Sequence, residues 1–154
     1  MASNRHLGRI VALQTLYEYE FRIQCGDTTV TAEEVLQRNI DRYEEAIEDT
    51  KFVDDLVHGV LKEQTNLDEK IQPIAPDWPI EQIARIDRNI LRIGVFELLH
   101  QAEVVPPKVA INEAVELAKA FGSDNSSKFV NGVLGTAYRT LIEGVDTDGS
   151  TTVR

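Results

Sequence analysis

The sequence predicts an all-α protein, and three observations lead to that prediction. Apolar residues recur three and four positions apart along most of the chain, which is the period of an amphipathic helix. No stretch shows a convincing alternation of apolar and polar residues, the pattern of a half-buried strand. The five prolines fall between the periodic segments. We expect six or seven helices in one compact domain, with short loops that favour antiparallel neighbours.

Three helices are predicted in the first half of the chain. The first runs from about residue 4 to residue 24, and Gly26 ends it. The second reaches about residue 45 and begins with residues 31–34 (Thr-Ala-Glu-Glu), which fit a capping box. The third runs on to Pro73 and has the clearest core-facing pattern of the sequence. Its apolar stripe comprises Val53, Leu56, Val57, Val60 and Leu61.

Three further helices are predicted in the second half. Residues 80–101 are apolar on most sides, which indicates a buried central helix, with a candidate break near residues 84–85. A helix over residues 108–121 follows two prolines, which the first turn tolerates. Asp124 or Asn125 is expected to cap the last helix.

Composition predicts a cytoplasmic protein with one folded domain. No apolar run approaches the roughly 18 residues of a membrane span, and the first 20 residues do not fit a signal peptide. The single cysteine, Cys25, rules out an intrachain disulfide. We assign residues 1–143 to one helical domain and expect residues 144–154, which are polar, to form a disordered tail.

The net charge of −10 is distributed unevenly. Residues 1–17 carry two arginines and no acid, whereas residues 18–78 carry 6 bases and 16 acids. Because non-specific nucleic-acid binding depends on neutralising phosphates, an acidic chain is poorly suited to it. Any nucleic-acid site must therefore be local, and the N-terminal end is the obvious place.

The sequence lacks the usual signatures of an enzyme. It has no glycine-rich phosphate loop, no His-Glu-x-x-His pair and no Gly-x-Ser-x-Gly elbow. The three histidines are far apart in the sequence, and the paired acids are better explained as solvated helix faces. We therefore expect no catalytic residues, no cofactor and no metal.

Two segments favour a binding role. Arg5 and Arg9 share a face of the first helix with His6 beside them, in positive N-terminal turns that mildly disfavour cations. A polyanion would explain this cluster, and a solvated helix start explains it equally well. Residues 125–132 (NSSKFVNG) place small polar residues and Lys128 at a helix start, a reasonable phosphate site. Phe129 offers a stacking face for an unpaired base, or else it belongs to the core while Ser126 or Ser127 caps the helix.

Four segments, in order and at family spacing, resemble the NusB family. They are residues 12–17 (ALQTLY, with Arg9 three positions earlier), 89–98 (NILRIGVFEL), 105–119 (VPPKVAINEAVELAK, followed by Phe121-Gly122) and 128–134 (KFVNGVL). The resemblance covers about residues 5–142. It implies an all-α fold of two small antiparallel helix bundles that share a long central helix.

The resemblance also implies a function in transcription antitermination. NusB proteins pair with NusE, a ribosomal protein, and the pair binds the boxA element of nascent ribosomal RNA transcripts. This binding helps to assemble a complex on RNA polymerase that resists premature termination. Some members also self-associate, so the resemblance allows a homodimer.

Carried over residue by residue, the resemblance implies two sets of binding residues. The RNA-binding set is Arg5, His6, Arg9, Asn125, Ser127, Lys128 and Phe129. The partner-binding set is Tyr17, Glu81 and Asp87, whose acids suit a basic ribosomal protein. Arg88 and Arg92 flank this second set, and the sequence leaves open whether they face the partner or the interior.

The sequence departs from the family in its N-terminal motif, which usually carries several consecutive arginines and here is reduced to Arg5 and Arg9. Fewer phosphate contacts predict weak intrinsic RNA binding and greater dependence on the partner. Two alternatives remain. One is an interaction adaptor that has lost most RNA binding, and the other is a partner of an RNA methyltransferase. The chain's end at Arg154 argues against the second, because nothing in the sequence is suited to bind S-adenosylmethionine.

Overall fold

A computed structural model of the chain describes residues 2–75 and 77–144. These residues form α-helices joined by short turns and contain no strand, which confirms the predicted all-α class. The helices are α1 (Ala2–Gln24), α2 (Ala32–Arg42), α3 (Thr50–Lys62), α4 (Gln64–Ile71), α5 (Arg85–His100), α6 (Pro107–Phe121) and α7 (Ser126–Ala137). Single 3₁₀ turns lie at Gln72–Ile74 and Ile80–Gln82, and a π-helical turn at Tyr138–Ile142 follows α7. No helix within these residues is long and apolar enough to cross a membrane.

The described chain divides into two compact units, Met1–Lys62 and Glu63–Arg154. In the first unit α1 packs against both α2 and α3. The interface of α1 and α2 contains a buried polar pair, because the Asn39 side-chain amide donates to the Thr15 hydroxyl at 3.0 Å. The same hydroxyl donates to the Val11 carbonyl at 2.8 Å. This buried hydroxyl therefore both accepts and donates a hydrogen bond, as buried polar groups usually do.

The end of α1 is fixed by a glycine and an aspartate. Gly26 has a φ of +90°, a left-handed conformation that only glycine adopts without strain, and it terminates the helix as expected. Asp27 then accepts hydrogen bonds from the backbone N–H and the hydroxyl of Thr29 at 2.8 Å, and it pairs with Arg22 at 2.8 Å. These contacts lower the pKa of Asp27 from 3.8 to about 2, with the Thr29 backbone N–H as the largest cause.

In the second unit α5 packs against α4, α6 and α7 and is buried from Asp87 to Leu98. Its predicted burial is confirmed. Gly94 allows the closest approach, because a Cβ at this position would lie 2.6 Å from Cδ1 of Leu134 in α7. Leu134 is itself fully buried, so α5 and α7 are closely packed at this point.

Two arginines of α5 are part of the interior of the second unit, which answers the question that the sequence left open. Arg92 is nearly buried and forms a bidentate pair with Asp68, through Nε at 2.8 Å and Nη2 at 2.9 Å. Arg88 is also buried and donates to the carbonyl oxygens of Ile80, Glu81 and Ile83. Arg88 therefore holds the 3₁₀ turn that precedes α5.

Three local predictions are corrected. The predicted third helix ends at Lys62, and α4 is a separate helix that begins at Gln64. The predicted helix over 80–101 begins as a 3₁₀ turn at Ile80–Gln82 that is followed by α5, and the candidate break near residues 84–85 is confirmed at Ala84. Asn125 is at the N-cap position of α7, but its side chain makes no capping hydrogen bond. The expected disordered tail lies, from residue 145 on, outside the described residues.

Gly94→Ala is expected to lower the free energy of unfolding by about 1–3 kcal/mol, because the new methyl group overlaps a buried leucine. Gly132→Ala is the matched control, since it lies in α7 with no atom within 4 Å of the added Cβ. The control is expected to gain about 0.5–1 kcal/mol. Chemical denaturation measures both variants, and equal stabilities would contradict the close packing of α5 on α7.

Asp27→Asn is expected to reduce the dependence of stability on acid pH. Because the folded-state pKa of Asp27 is depressed, its contribution is fully present above pH 3.8 and is lost as the pH falls towards 2. Asparagine keeps an oxygen acceptor for Thr29 but does not titrate. The free energy of unfolding, measured between about pH 5 and pH 2, should fall less steeply for the variant than for the wild type. Glu44→Gln, at an exposed acid, controls for the loss of one negative charge.

Candidate nucleic-acid interface

The N-terminal basic cluster is organised around one aromatic ring of the first unit. The guanidinium carbon of Arg5 lies 4.9 Å from the centroid of the Phe52 ring, and that of Arg9 lies 5.1 Å from it. Both distances are within the range of a cation–π interaction. Phe52, at the start of α3, is buried and therefore fixes both arginines on the first turns of α1.

The two arginines differ in their access to a ligand. Arg5 keeps 30% of its side chain exposed and is paired with Asp49 at 3.9 Å, a long and weak ion pair. His6 is half-buried beside it. Arg9 has 0% of its surface exposed, so it does not offer its guanidinium to a phosphate in this conformation. Of the three residues predicted in this cluster, Arg5 is the cation that faces solvent.

The second predicted segment forms the N-terminus of α7. Ser126 is buried, and its Oγ accepts a hydrogen bond from the Ser123 backbone N–H at 2.9 Å. This bond closes the turn that connects α6 to α7. Asn125 and Lys128 are exposed, and Ser127 is half-buried. The helix start therefore presents a positive dipole end together with an accessible lysine, the arrangement that sequence reasoning expected for a phosphate site.

Phe129 lies at the edge of a pocket, which we call the aromatic pocket. Its cavity volume is about 380 Å³, within the range of small-molecule sites. Phe129 is half-buried, and therefore neither a full core residue nor a free surface ring. The pocket is lined by Asp77, Trp78, Gln82, Ile83, Ala84, Asp87, Ser123, Asn125, Ser126 and Phe129.

Asp87 is a buried residue among those that line the aromatic pocket. Only 9% of its surface is exposed, and within the described chain its Oδ1 has no hydrogen-bond partner. It lies in the first turn of α5, where the helix dipole stabilises a negative charge. Asp87 thus differs from Glu81, its predicted companion on the partner surface, which is exposed in the 3₁₀ turn before α5.

Tyr17, the third predicted partner contact, lies in α1 of the first unit and is 37% exposed. The neighbouring Glu18 pairs with Arg38 of α2 and with Arg22. The hydrogen bond from Arg38 is the main reason why the pKa of Glu18 is lowered. This face of α1 therefore holds an exposed ring beside a carboxylate that stays ionised.

The structure brings the predicted residues together in two groups. Arg5, His6 and Arg9 occupy adjacent positions on α1, whereas Asn125, Phe129 and Asp87 line one pocket of the second unit. Ser127 and Lys128 lie in the same first turn of α7 but do not line the pocket.

Sequence reasoning missed Trp78, which lines the aromatic pocket and is 59% exposed. The signal was a lone tryptophan between two prolines, Pro76 and Pro79, for which the sequence analysis proposed no role. Gln82 was also missed, and no motif marked it, because it is one of many polar residues in a short turn.

Known proteins that are similar to this chain point to one family. A family model described as "NusB family" matches residues 6–139. A transcription antitermination protein NusB from Dehalococcoides mccartyi is 42% identical over 93% of this chain and 95% of its own length. The structure of NusB from T. maritima is similar, with a TM-score of 0.72 and 31% identity over 85% of this chain and 87% of that one.

A third similar structure contains the antitermination factors NusB and NusE in complex with double-stranded RNA. It has a TM-score of 0.75 and 24% identity, and covers 91% of this chain and 99% of that one, so it supports the fold alone. The helical fold, the match of the family model and the identity to curated relatives lead to one conclusion. This chain belongs to the NusB family of transcription antitermination proteins.

Proposed function

We propose that this chain acts in transcription antitermination by binding the boxA element of nascent ribosomal RNA transcripts together with ribosomal protein NusE. The observation that carries the proposal is the exposed, aromatic and basic start of α7 within a chain that belongs to the NusB family. A similar solved structure holds NusB together with NusE and RNA, which is the kind of assembly that the proposal assigns to this chain.

The RNA contacts are assigned to side chains that reach solvent. Arg5 and Lys128 supply positive charge to phosphates, and Phe129 supplies a ring to an unpaired base. His6, Asn125 and Ser127 contribute polar groups at the same two helix starts. Arg9 has a supporting role, because it packs against the Phe52 ring that also holds Arg5.

RNA binding by the isolated chain is expected to be weak. The reduced arginine motif leaves one solvent-facing arginine, Arg5, at the start of α1, and Asp49 partly neutralises it. The strongly acidic segment 18–78 repels RNA that is not held at the basic sites. The affinity therefore depends on a basic partner protein.

The partner contact is assigned to Tyr17 and Glu81. Tyrosine contributes a large contact area and a polar tip, which makes it frequent at protein interfaces. Exposed acids such as Glu81 steer a basic ribosomal protein towards the chain. Asp87, predicted with them, is nine-tenths buried and offers little surface to a partner.

The chain acts by binding in this proposal and makes no covalent change to its target. RNA polymerase in the cytoplasm is the machinery on which the assembled complex works. The adaptor alternative stays distinguishable, because it requires NusE binding without any RNA contact.

Arg5→Ala and Lys128→Ala are each expected to weaken boxA binding by the complex with NusE. Each should reduce the slope of log K against log salt by about 0.7, the effect of one lost phosphate contact on a single strand. Fluorescence anisotropy at several salt concentrations measures this, with a scrambled RNA for specificity. Lys119→Ala, an exposed lysine of α6 that pairs with Glu116 at 3.4 Å, is the matched control.

The wild-type chain alone should bind the same RNA weakly and gain affinity with NusE. Nanomolar binding without NusE at physiological salt would contradict the expected dependence on the partner. Capture of NusE without RNA binding in any combination would favour the adaptor alternative.

Glu81→Lys is expected to weaken capture of NusE, because it reverses an exposed charge on the proposed contact. Glu103→Lys makes the same charge reversal at an exposed position of the second unit outside the proposed sites. Surface binding measurements with immobilised NusE compare the two variants. Equal losses would mean that only net charge matters, and the assignment of Glu81 would be wrong.

A further inference from the structure

We propose that Asp49 is an intramolecular competitor for the RNA phosphate that Arg5 binds, and that it sets the RNA affinity of the basic cluster at the start of α1. The inference rests on the proposed function, because it takes Arg5 as a phosphate contact. It goes beyond that function by assigning an inhibitory role in binding to an acidic residue that lies directly before α3.

The carboxylate of Asp49 is held in place by the start of α3. Its Oδ1 accepts a hydrogen bond from the backbone N–H of Phe52 at 3.0 Å, which is the hydrogen bond of a helix N-cap. The positive end of the helix dipole also favours a negative charge at this position. Asp49 therefore has a defined position, unlike a surface acid that is held by nothing.

The other oxygen of this carboxylate meets Arg5. Asp49 Oδ2 lies 3.9 Å from Nη2 of Arg5, and the side chains of Asp49 and Arg5 are 46% and 30% exposed. One oxygen thus caps α3 while the other reaches the arginine that faces solvent. Carboxylate and phosphate oxygens bind a guanidinium through the same N–H donors. A phosphate that approaches Arg5 therefore meets a negative group that is already beside it.

The Phe52 ring keeps Arg5 next to this carboxylate. The ring centroid lies 4.9 Å from the guanidinium carbon of Arg5, and the backbone N–H of Phe52 binds Asp49. Helix α1 approaches the ring closely at Gly8, where an added Cβ would lie 3.5 Å from Cδ2 of Phe52. An exposed ion pair is usually weakened by the entropy of holding two side chains together. Because Phe52 contacts both members of this pair, that loss is reduced.

Asp49 also supplies a negative charge that the N-terminal segment lacks. Residues 1–17 contain two arginines and no acid, so along the sequence the basic cluster has no counter-charge. The fold brings Asp49 to it from the start of α3. Since Arg9 is fully buried, Asp49 acts on the arginine of the pair that a phosphate is able to reach. The weak RNA binding expected of the isolated chain then follows in part from Asp49.

A carboxylate beside an arginine either orients the guanidinium for a ligand or occupies it. The first role requires a short charge-assisted hydrogen bond, of about 2.7–2.9 Å. The separation of 3.9 Å is longer than that, and the Phe52 ring already positions Arg5. The geometry therefore favours competition, and the two roles predict opposite effects when the charge of Asp49 is removed.

Asp49→Asn removes the charge and keeps the cap, because asparagine is as good an N-cap residue as aspartate. At low salt the variant with NusE is expected to bind boxA RNA about threefold more tightly than the wild type, the effect of one exposed ion pair. The gain should shrink at high salt, which screens exposed charges. Fluorescence anisotropy measures both. Asp49→Ser, a second uncharged N-cap, should give the same gain, and thermal unfolding verifies that the variants are folded.

Asp55→Asn is the matched control, since it makes the same change in α3 and releases Lys51 from an ion pair of 2.7 Å. An equal gain for this control would mean that only net charge matters, and the inference would be wrong. In an Arg5→Ala background, Asp49→Asn should give no gain, because its effect acts through Arg5. A gain that persists without Arg5, or a loss of RNA affinity when Arg5 is present, also overturns the inference.

Inorganic tripolyphosphate separates this inference from the proposed function. NMR follows the Nε–H signal of Arg5 while the full chain is titrated, and Asp49→Asn is expected to bind the anion about threefold more tightly than the wild type. Equal affinities, or an unchanged Arg5 signal in both proteins, overturn the inference even when boxA binding with NusE is intact. If the wild-type complex fails to bind boxA RNA, the proposed function fails, and tripolyphosphate still tests the role of Asp49.

Discussion

The burial of charged residues in the first half of α5 is the constraint on which the second unit depends. Arg92 is nearly removed from solvent and is compensated by the bidentate pair with Asp68. Arg88 is compensated by backbone carbonyls of the preceding turn, three of which it contacts. Removing one partner of such a group leaves an unsatisfied buried charge, which destabilises far more than the loss of an exposed ion pair. The segment before α5 is thus held against the helix by these polar contacts rather than by the local conformational propensities of its residues.

The hydrogen bonds of Arg88 to this turn also determine the geometry of the aromatic pocket. The 3₁₀ turn at Ile80–Gln82 is held by Arg88, and Gln72 donates to the Trp78 carbonyl and accepts from the Ile80 N–H, both at 2.8 Å. The chain around Trp78 is therefore anchored on both sides while the indole itself stays exposed. Hydrogen bonds fix the backbone around Trp78, and its indole is exposed, so this side of the pocket is preorganised for a ligand. Preorganisation reduces the entropy that binding must overcome.

The sequence predicted the parts of this fold that follow from local periodicity. The ends of α1 and α6 at Gly26 and Gly122 were predicted correctly, as was the hydroxyl of Thr31 that accepts from the Glu34 N–H. The break between α3 and α4 was missed because the apolar stripe continues across it. A single non-helical residue does not change the spacing of apolar residues enough to be detected in the sequence.

The candidate binding residues were proposed from the sequence, whereas their accessibility could not be predicted from it. Spacing places Arg5 and Arg9 on one face of a helix, but it does not say that Phe52 will cover one of them. Likewise the resemblance marked Asp87 without indicating that it lies inside a pocket with Trp78. Burial depends on residues that are distant in sequence, and a one-dimensional pattern does not contain those distances.

The charge distribution and the burial of Arg9 together favour a chain that recognises RNA by local contacts. Nonspecific affinity grows with the number of phosphates that a surface neutralises, and few cations are available at the two helix starts. With little electrostatic attraction, the free energy of binding must come from stacking and from hydrogen bonds to base edges, which depend on sequence. Because these contacts act only once the RNA is in place, the proposed function requires a basic partner that attracts the strand to this acidic chain.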